Sequence, residues 1–229
     1  MALLAIESTA SLAGVTLVDA GQVVGTVRIA HRHNLSGNLL YATEWLLNRH
    51  GLAREALRAI AVNVGPGSFT GLKIGVVIAK MWAHVWAIDL VGVSAFETCA
   101  VEMPEGMAAL VALPARKDAL YVQWLRSMAV PEPLSPPAMV LHHALSEWLQ
   151  QSCPDVPMCG AIGVAQARTW IEPFLPNLHW RTIESPSPEG VARVGWQRWQ
   201  AKEVVAPFQL VPLYLQPPSI TPSRRARTR

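Results

Sequence analysis

The chain opens with short apolar runs broken by turn residues and then settles into longer helical stripes. Leu3 to Ile6 is a continuous apolar run of strand length, closed by the polar turn Glu7-Ser8-Thr9. Gly14 to Val18 and Gln22 to Ile29 read as two further strands, and Asp19-Ala20-Gly21 between them is a hairpin signal. Leu39 to Asn48 carries Leu39, Ala42 and Leu46 on one helical stripe, with Gly51 as a natural stop. Ala59 to Val64 is strand-like, Leu72 to Trp86 is a long apolar helix, and a strand follows around Leu90 to Val93. A meander followed by alternating helix and strand predicts an α/β lobe, and this pattern is compatible with several α/β topologies.

The second half repeats the theme less clearly. Leu110 to Leu113 and Leu120 to Leu125 look like strands around the charged turn Arg116-Lys117-Asp118. Pro131 to Pro137 holds four prolines in seven residues and reads as a loop or linker. Helical patterns follow at His143 to Gln151, Val164 to Ile171 and Pro188 to Glu203, with strand-like pieces at Met158 to Ile162 and Leu210 to Leu215. The reading is a first lobe over residues 1–100, a second, degenerate lobe over 101–220, and a basic tail over 221–229.

The helix of residues 72–86 is apolar on nearly every side. Ile74, Ile78, Met81 and Val85 form one stripe, and Val76, Val77, Ala79, Ala83 and Trp86 cover much of the rest. Only Lys73, Lys80 and His84 make a polar line, narrower than a helix packed once on a sheet should show. Such a helix is either enclosed within its lobe or covered on one side by a partner.

Between the strand and that helix lies Gly65-Pro66-Gly67-Ser68-Phe69-Thr70-Gly71. Glycines admit positive φ and close approach, Pro66 fixes its own φ, and Ser68 or Thr70 can cap the helix. The spacing matches neither the Walker A loop nor the dinucleotide fingerprint. Two readings stand at this point, a structural turn and a helix N-terminus that holds an anion.

Composition narrows the function class. Hydrophobic residues make up 51 % and charged residues 15 %, which describes an apolar globular chain rather than a disordered one. Net charge is +3, but four arginines crowd the last six residues, and the remainder carries 15 basic against 16 acidic groups. The high pI therefore does not describe a nucleic-acid-binding face. Cys99, Cys153 and Cys159 form no C-x-x-C and leave one unpaired in any scheme; with no signal peptide, they point to a reducing cytoplasm. No uncharged stretch reaches the length of a membrane span. No two of the seven histidines have the i, i+4 spacing of a helical metal pair, and His31 and His33 read as a solvated strand end. Ser68 and Thr70 have no base beside them in sequence.

The run Gly65-Pro66-Gly67-Ser68-Phe69-Thr70-Gly71-Leu72-Lys73-Ile74-Gly75 closely resembles the signature of the TsaB (YeaZ) family, bacterial proteins needed to make threonylcarbamoyladenosine on tRNA. Other pieces follow in the family's order: Leu4-Ala5-Ile6-Glu7-Ser8-Thr9, Val91-Gly92-Val93-Ser94, Ala115-Arg116 ahead of Tyr121, and Pro212-Leu213-Tyr214-Leu215. The resemblance is dense over about residues 1–125 and thin beyond. It implies an α/β, ribonuclease-H-like/actin-like (ASKHA) fold of two lobes. It also implies a cytoplasmic, non-catalytic subunit that docks on the paralogue TsaD and supports threonylcarbamoyl transfer to adenosine 37 of tRNA. TsaE would join that complex, tRNA would be met only through it, and a second TsaB copy is the alternative occupant of the docking face. The resemblance places ATP and metal on the partner subunits, with no cofactor on this chain.

The same resemblance assigns residues. It places Leu39, Ala42, Trp45 and Leu46 of one helix, and Ile74, Val77, Ile78, Met81 and Trp82 of the next, in a four-helix contact, with Trp45, Met81 and Trp82 as anchors. Glu7, Ser8 and Thr9 have two readings, a cap of the local turn or, where kinases and ATPases of this fold hold a phosphate-facing acid, a vestigial phosphate site; relatives usually have Asp in place of Glu7, and the longer side chain favours the cap. Pro114 stands where relatives have an acid, and Gln216 where they have Arg. The rival reading is a free-standing ATPase or kinase of the same fold using Glu7 and the glycine turn.

Overall fold

Two mixed sheets organise the chain, and the second repeats the strand order of the first. The computed structural model describes residues 1–30, 34–154 and 159–215. The first sheet contains β1 (Ala2–Glu7), β2 (Leu12–Asp19), β3 (Gln22–Ala30), β4 (Leu57–Asn63) and β5 (Asp89–Val93), in the order β3-β2-β1-β4-β5. β1 to β3 form an antiparallel meander, and β4 and β5 run parallel to β1. Ala20 and Gly21, with φ of 47° and 83°, make the two-residue turn that the hairpin requires. Every residue of β1 is buried, as its unbroken apolar run demands of a strand covered on both faces.

The second sheet is built from β6 (Ala108–Arg116), β7 (Ala119–Arg126), β8 (Glu132–Pro133), β9 (Ala138–Leu141), β10 (Cys159–Gly163) and β11 (His179–Thr182). β7 lies antiparallel to β6 and β9 antiparallel to β7, while β10 and β11 follow parallel to β6. The path β9-β7-β6-β10-β11 thus reproduces β3-β2-β1-β4-β5. This is the ribonuclease-H-like unit, used twice, of the actin-like fold.

Helices close both faces of each sheet. α1 (Leu35–Arg49) and α2 (Phe69–Trp86) pack on one face of the first sheet. α4 (Leu145–Ser152) and α5 (Ala165–Ile171) take the corresponding face of the second. The remaining faces are closed by exchange. α3 (Ala95–Ala100), which follows β5, buries Phe96 and Cys99 against the second sheet. α6 (Pro188–Gln200), which follows β11, buries Val191 and Val194 against the first. Gly195 allows the close approach, since a Cβ there would lie 2.3 Å from that of Ala61. Arg198 clamps the seam by donating to the Gly92 carbonyl at 2.7 Å and pairing with Glu97 at 2.5 Å.

Several expectations change. The proline-rich stretch contains the short strand β8, which pairs with the edge of β7. The helix expected to reach Glu203 ends at Gln200, and residues 210–215 form no strand. Instead, residues 201–215 return across the first lobe as a strap. Val205 N–H donates to Leu90 O at 2.9 Å and Leu213 N–H to Val64 O at 2.7 Å. β9, β11 and α3 were not foreseen. The basic tail, Gln216, Met158, His31 and His33 lie outside the described residues. Among the described residues, no helix is long and apolar enough to cross a membrane.

Candidate functional site

The glycine turn sits where β4 leaves the first sheet and α2 begins. Ser68 is the N-cap, its side chain accepting from Gly71 N–H at 3.3 Å, and Thr70 lies inside the first helical turn. The turn is tied down by its own backbone. Ser68 N–H donates to Thr9 O at 2.6 Å, and Gly65 N–H to the Asn63 side chain at 2.8 Å. Gly65 O accepts from Ala95 N–H at 2.7 Å. Gly65 has φ of 98°, and the peptide bond to Pro66 is cis. A Cβ on Gly67 would stand 2.4 Å from Thr9 O, so only glycine fits against the first turn of the chain. The amides of Gly65, Ser68 and Gly71 therefore already have partners within the chain. At those three positions the geometry is that of a structural turn.

Glu7 ends β1 directly beneath. It is completely buried, and its carboxylate accepts from Thr9 N–H and Thr9 Oγ1, each at 2.6 Å, and from Asn63 Nδ2. Burial pushes its pKa up from 4.5 to about 7, against the lowering effect of those hydrogen bonds. Ser8 is also buried, its Oγ without a partner, and lies where a side chain on Gly75 of α2 would have to go. Glu7, Ser8 and Thr9 thus fasten β1 to the glycine turn and to α2.

The cleft between the sheets opens beside this turn, with a volume of about 360 Å³. Thr9, Gly67 and Ser68 line it from the first lobe, and Pro114, Val164 and Glu184 from the second. Among the described residues, no Lys or Arg lines its walls, and Glu7 does not line it. Among the described residues, no group of three His, Cys, Asp or Glu side chains is placed to hold a metal ion.

The helix pair presents a different kind of surface. α2 turns Leu72, Val76, Ala79 and Ala83 into the lobe, and leaves Val77, Met81 and Val85 exposed, Met81 by 60 %. Ile74, Ile78 and Trp82 are half-buried at the edges of that outer stripe. The helix is therefore enclosed on one side only. On α1 the sequence-based assignment is corrected: Leu39, Ala42 and Leu46 are core, with Leu39 and Leu46 fully buried, because their stripe faces the sheet. Trp45 is exposed, and it is joined by Leu40 and Tyr41, which sequence reasoning passed over. Tyr41 and Trp45 are four apart, a spacing that shares one face of a helix.

Comparisons with known proteins bear on these features. A family model described as TsaD, tRNA N6-adenosine threonylcarbamoyltransferase, matches residues 24–130. The tRNA threonylcarbamoyladenosine biosynthesis protein TsaB of Bacillus subtilis is 35 % identical over 100 residues, 44 % of this chain. The chain spans only 44 % of the length of that relative. An uncharacterized Mycobacterium tuberculosis protein is 30 % identical over 211 residues, covering 90 % of this chain and 84 % of the other. Among solved structures, YeaZ from Pseudomonas aeruginosa superposes with a TM-score of 0.77, at 22 % identity, over 93 % of this chain and 99 % of that one. That likeness is one of fold.

Proposed function

Because the chain belongs to the TsaB (YeaZ) family, we propose that it is the non-catalytic subunit of the assembly that makes N6-threonylcarbamoyladenosine at position 37 of tRNA. In this reading it docks on TsaD through the outer stripe of α1 and α2, and TsaD carries out the transfer. The observation that carries the reading is the uncovered apolar face formed by Tyr41, Trp45, Val77, Met81 and Val85. A soluble chain rarely leaves so many large apolar side chains together unless a partner covers them. ATP and metal then belong to the partner subunits, and TsaE and tRNA join through the complex in the cytoplasm.

The vestigial phosphate site supports the same reading. Glu7 is spent on Thr9 and Asn63, and the amides of Gly65, Ser68 and Gly71 on the Asn63 side chain, the Thr9 carbonyl and the Ser68 hydroxyl. Both act as fasteners of the lobe that displays the docking face. The test mixes the purified full chain with TsaD and assays threonylcarbamoyl transfer with and without it. A stable complex and a requirement for this chain are expected, with no transfer by the chain alone. Transfer by the chain alone, abolished by Glu7→Ala, would overturn the non-catalytic assignment in favour of a free-standing enzyme.

A further inference from the structure

The net positive charge of this protein stands in one short stretch. The strap of residues 201–215 carries Lys202 and Glu203, which cancel, and from Val204 through Ser223 the sequence has no charged residue. The next six residues, Arg224 to Arg229, hold four arginines and no acid. Without them the chain has 15 basic against 16 acidic groups. Positive charge is thus concentrated at one place on an otherwise balanced protein.

The strap fixes where that stretch departs from the fold. Leu210 enters the core of the first lobe, while Leu213 and Leu215 pack on a core cluster of the second sheet. Tyr214 lies against Phe69 with ring centroids 5.6 Å apart, and Lys73 Nζ stands 4.1 Å over the Phe69 ring. The strap therefore ends beside the first turn of α2, next to Ser68, which lines the mouth of the cleft. Residues 216–223 separate this point from the first arginine. An extended chain rises at most about 3.6 Å per residue, so all four arginines stay within about 50 Å of Leu215.

Guanidinium groups keep their charge at any physiological pH and match phosphate oxygens in a two-pronged fit. Four of them without an acid suit a polyanion, either a nucleic acid or an anionic membrane. A membrane holds a short basic stretch firmly only when a second anchor assists it. Residues 224–229 contain only Ala226 and Thr228 besides arginine, so no large apolar side chain accompanies the charge. Nucleic acid is favoured, and the assembly proposed above acts on one.

We infer that residues 224–229 are an RNA-contacting arm, delivered by the strap to the mouth of the cleft, whose arginines pair with phosphates of the tRNA. The chain then meets tRNA directly, through its backbone and without regard to sequence. This rests on the reading above, because the complex with TsaD is what brings tRNA within reach.

The test follows the anisotropy of a fluorescent tRNA transcript bound by the full chain in complex with TsaD, at several salt concentrations. Each phosphate contact contributes about 0.7–0.9 to the steepness of log affinity against log salt. Replacing the four arginines by glutamine should lower that steepness by about 3, so each doubling of salt costs wild type about eightfold more affinity than the variant. Four lysines in their place should retain it, because the charges remain. Calorimetry with TsaD should give equal affinities for all three chains. A fall of less than about 1 in the glutamine variant, with TsaD still bound, would overturn the arm and leave the docking reading standing. Failure of the wild-type chain to bind TsaD would sink that reading, and the arm's place in the assembly with it. A glutamine variant that loses TsaD would make the arginines a protein contact instead. Capture of wild type and not the variant by phosphatidylserine vesicles, with equal tRNA slopes, would move the arm to a membrane.

Discussion

The two sheets share a strand order, yet their outer helices differ in length and surface. α1 and α2 span 15 and 18 residues and expose Tyr41, Trp45, Val77, Met81 and Val85. α4 and α5, in the same place on the second sheet, span 8 and 7 residues and expose Glu147, Gln150, Gln151, Gln166, Arg168 and Thr169. Both pairs satisfy the fold with an inward stripe, Leu39, Leu46, Leu72 and Val76 in one and Leu145, Leu149, Ala167 and Ile171 in the other. The fold asks nothing of the outward stripe. What that stripe carries therefore speaks to function, and only the first lobe carries an apolar one.

The sharpest way to break this comparison is to charge the outer stripe and, separately, to hollow the inner one. Met81→Glu places a carboxylate in the proposed contact and should weaken TsaD binding more than a hundredfold, about 3 kcal/mol or more. Its thermal melt should match wild type, because water solvates the new charge in the free chain. Leu46→Ala should do the reverse. It removes a fully buried side chain, costs about 2–5 kcal/mol of stability, and leaves the affinity of the folded fraction unchanged. Equal effects of the two variants on both readouts would erase the distinction between the stripes.

How much of this was legible in the sequence follows from range and direction. The spacing of Ile74, Ile78, Met81 and Val85 announced a second apolar stripe on α2. On α1 the same reasoning picked Leu39, Ala42 and Leu46, a correct stripe that faces inward. Periodicity shows that residues share a face, and it does not show which way the face looks. Tyr41 and Trp45 were the outward signal. The glycine turn was located, but whether its amides were free depended on Thr9, which folding brings to Ser68 from far back in the chain. β9, β11 and α3, of 4, 4 and 6 residues, are too short to impose a period. The exchange of α3 and α6 between sheets is a long-range choice with no local mark.

The mouths of the sheets extend the comparison. β1 ends in the buried Glu7, while β6 carries the exposed Pro114 near its own end. Glu7 has a folded pKa of about 7, above its unfolded value of 4.5. Its contribution to stability is fully present below the unfolded value and is lost as pH rises through the folded one. Denaturant melts between pH 4.5 and 8 should therefore show stability falling by roughly 2–3 kcal/mol from this group. Glu7→Gln should flatten that part of the slope. Parallel slopes for variant and wild type would mean that the carboxylate stays ionised throughout, held by Thr9 and Asn63.

The smallest effect belongs to the second lobe, and it sharpens the comparison because the chemistry of the change is severe. Arg168 on α5 pairs with Glu172 one turn on, at 3.0 Å, and both side chains are about half exposed. An exposed pair of this kind contributes little, since water screens it and two long side chains must be held in place. Arg168→Glu reverses the charge and sets two acids one turn apart, yet both remain hydrated. The melt should stay close to wild type, and TsaD binding should not change, because this face is polar and no partner is assigned to it. Loss of TsaD binding in a variant that melts normally would put the partner on both lobes. The polar surface of α4 and α5 would then be a second contact, and the contrast between the helix pairs would be one of chemistry within a single interface.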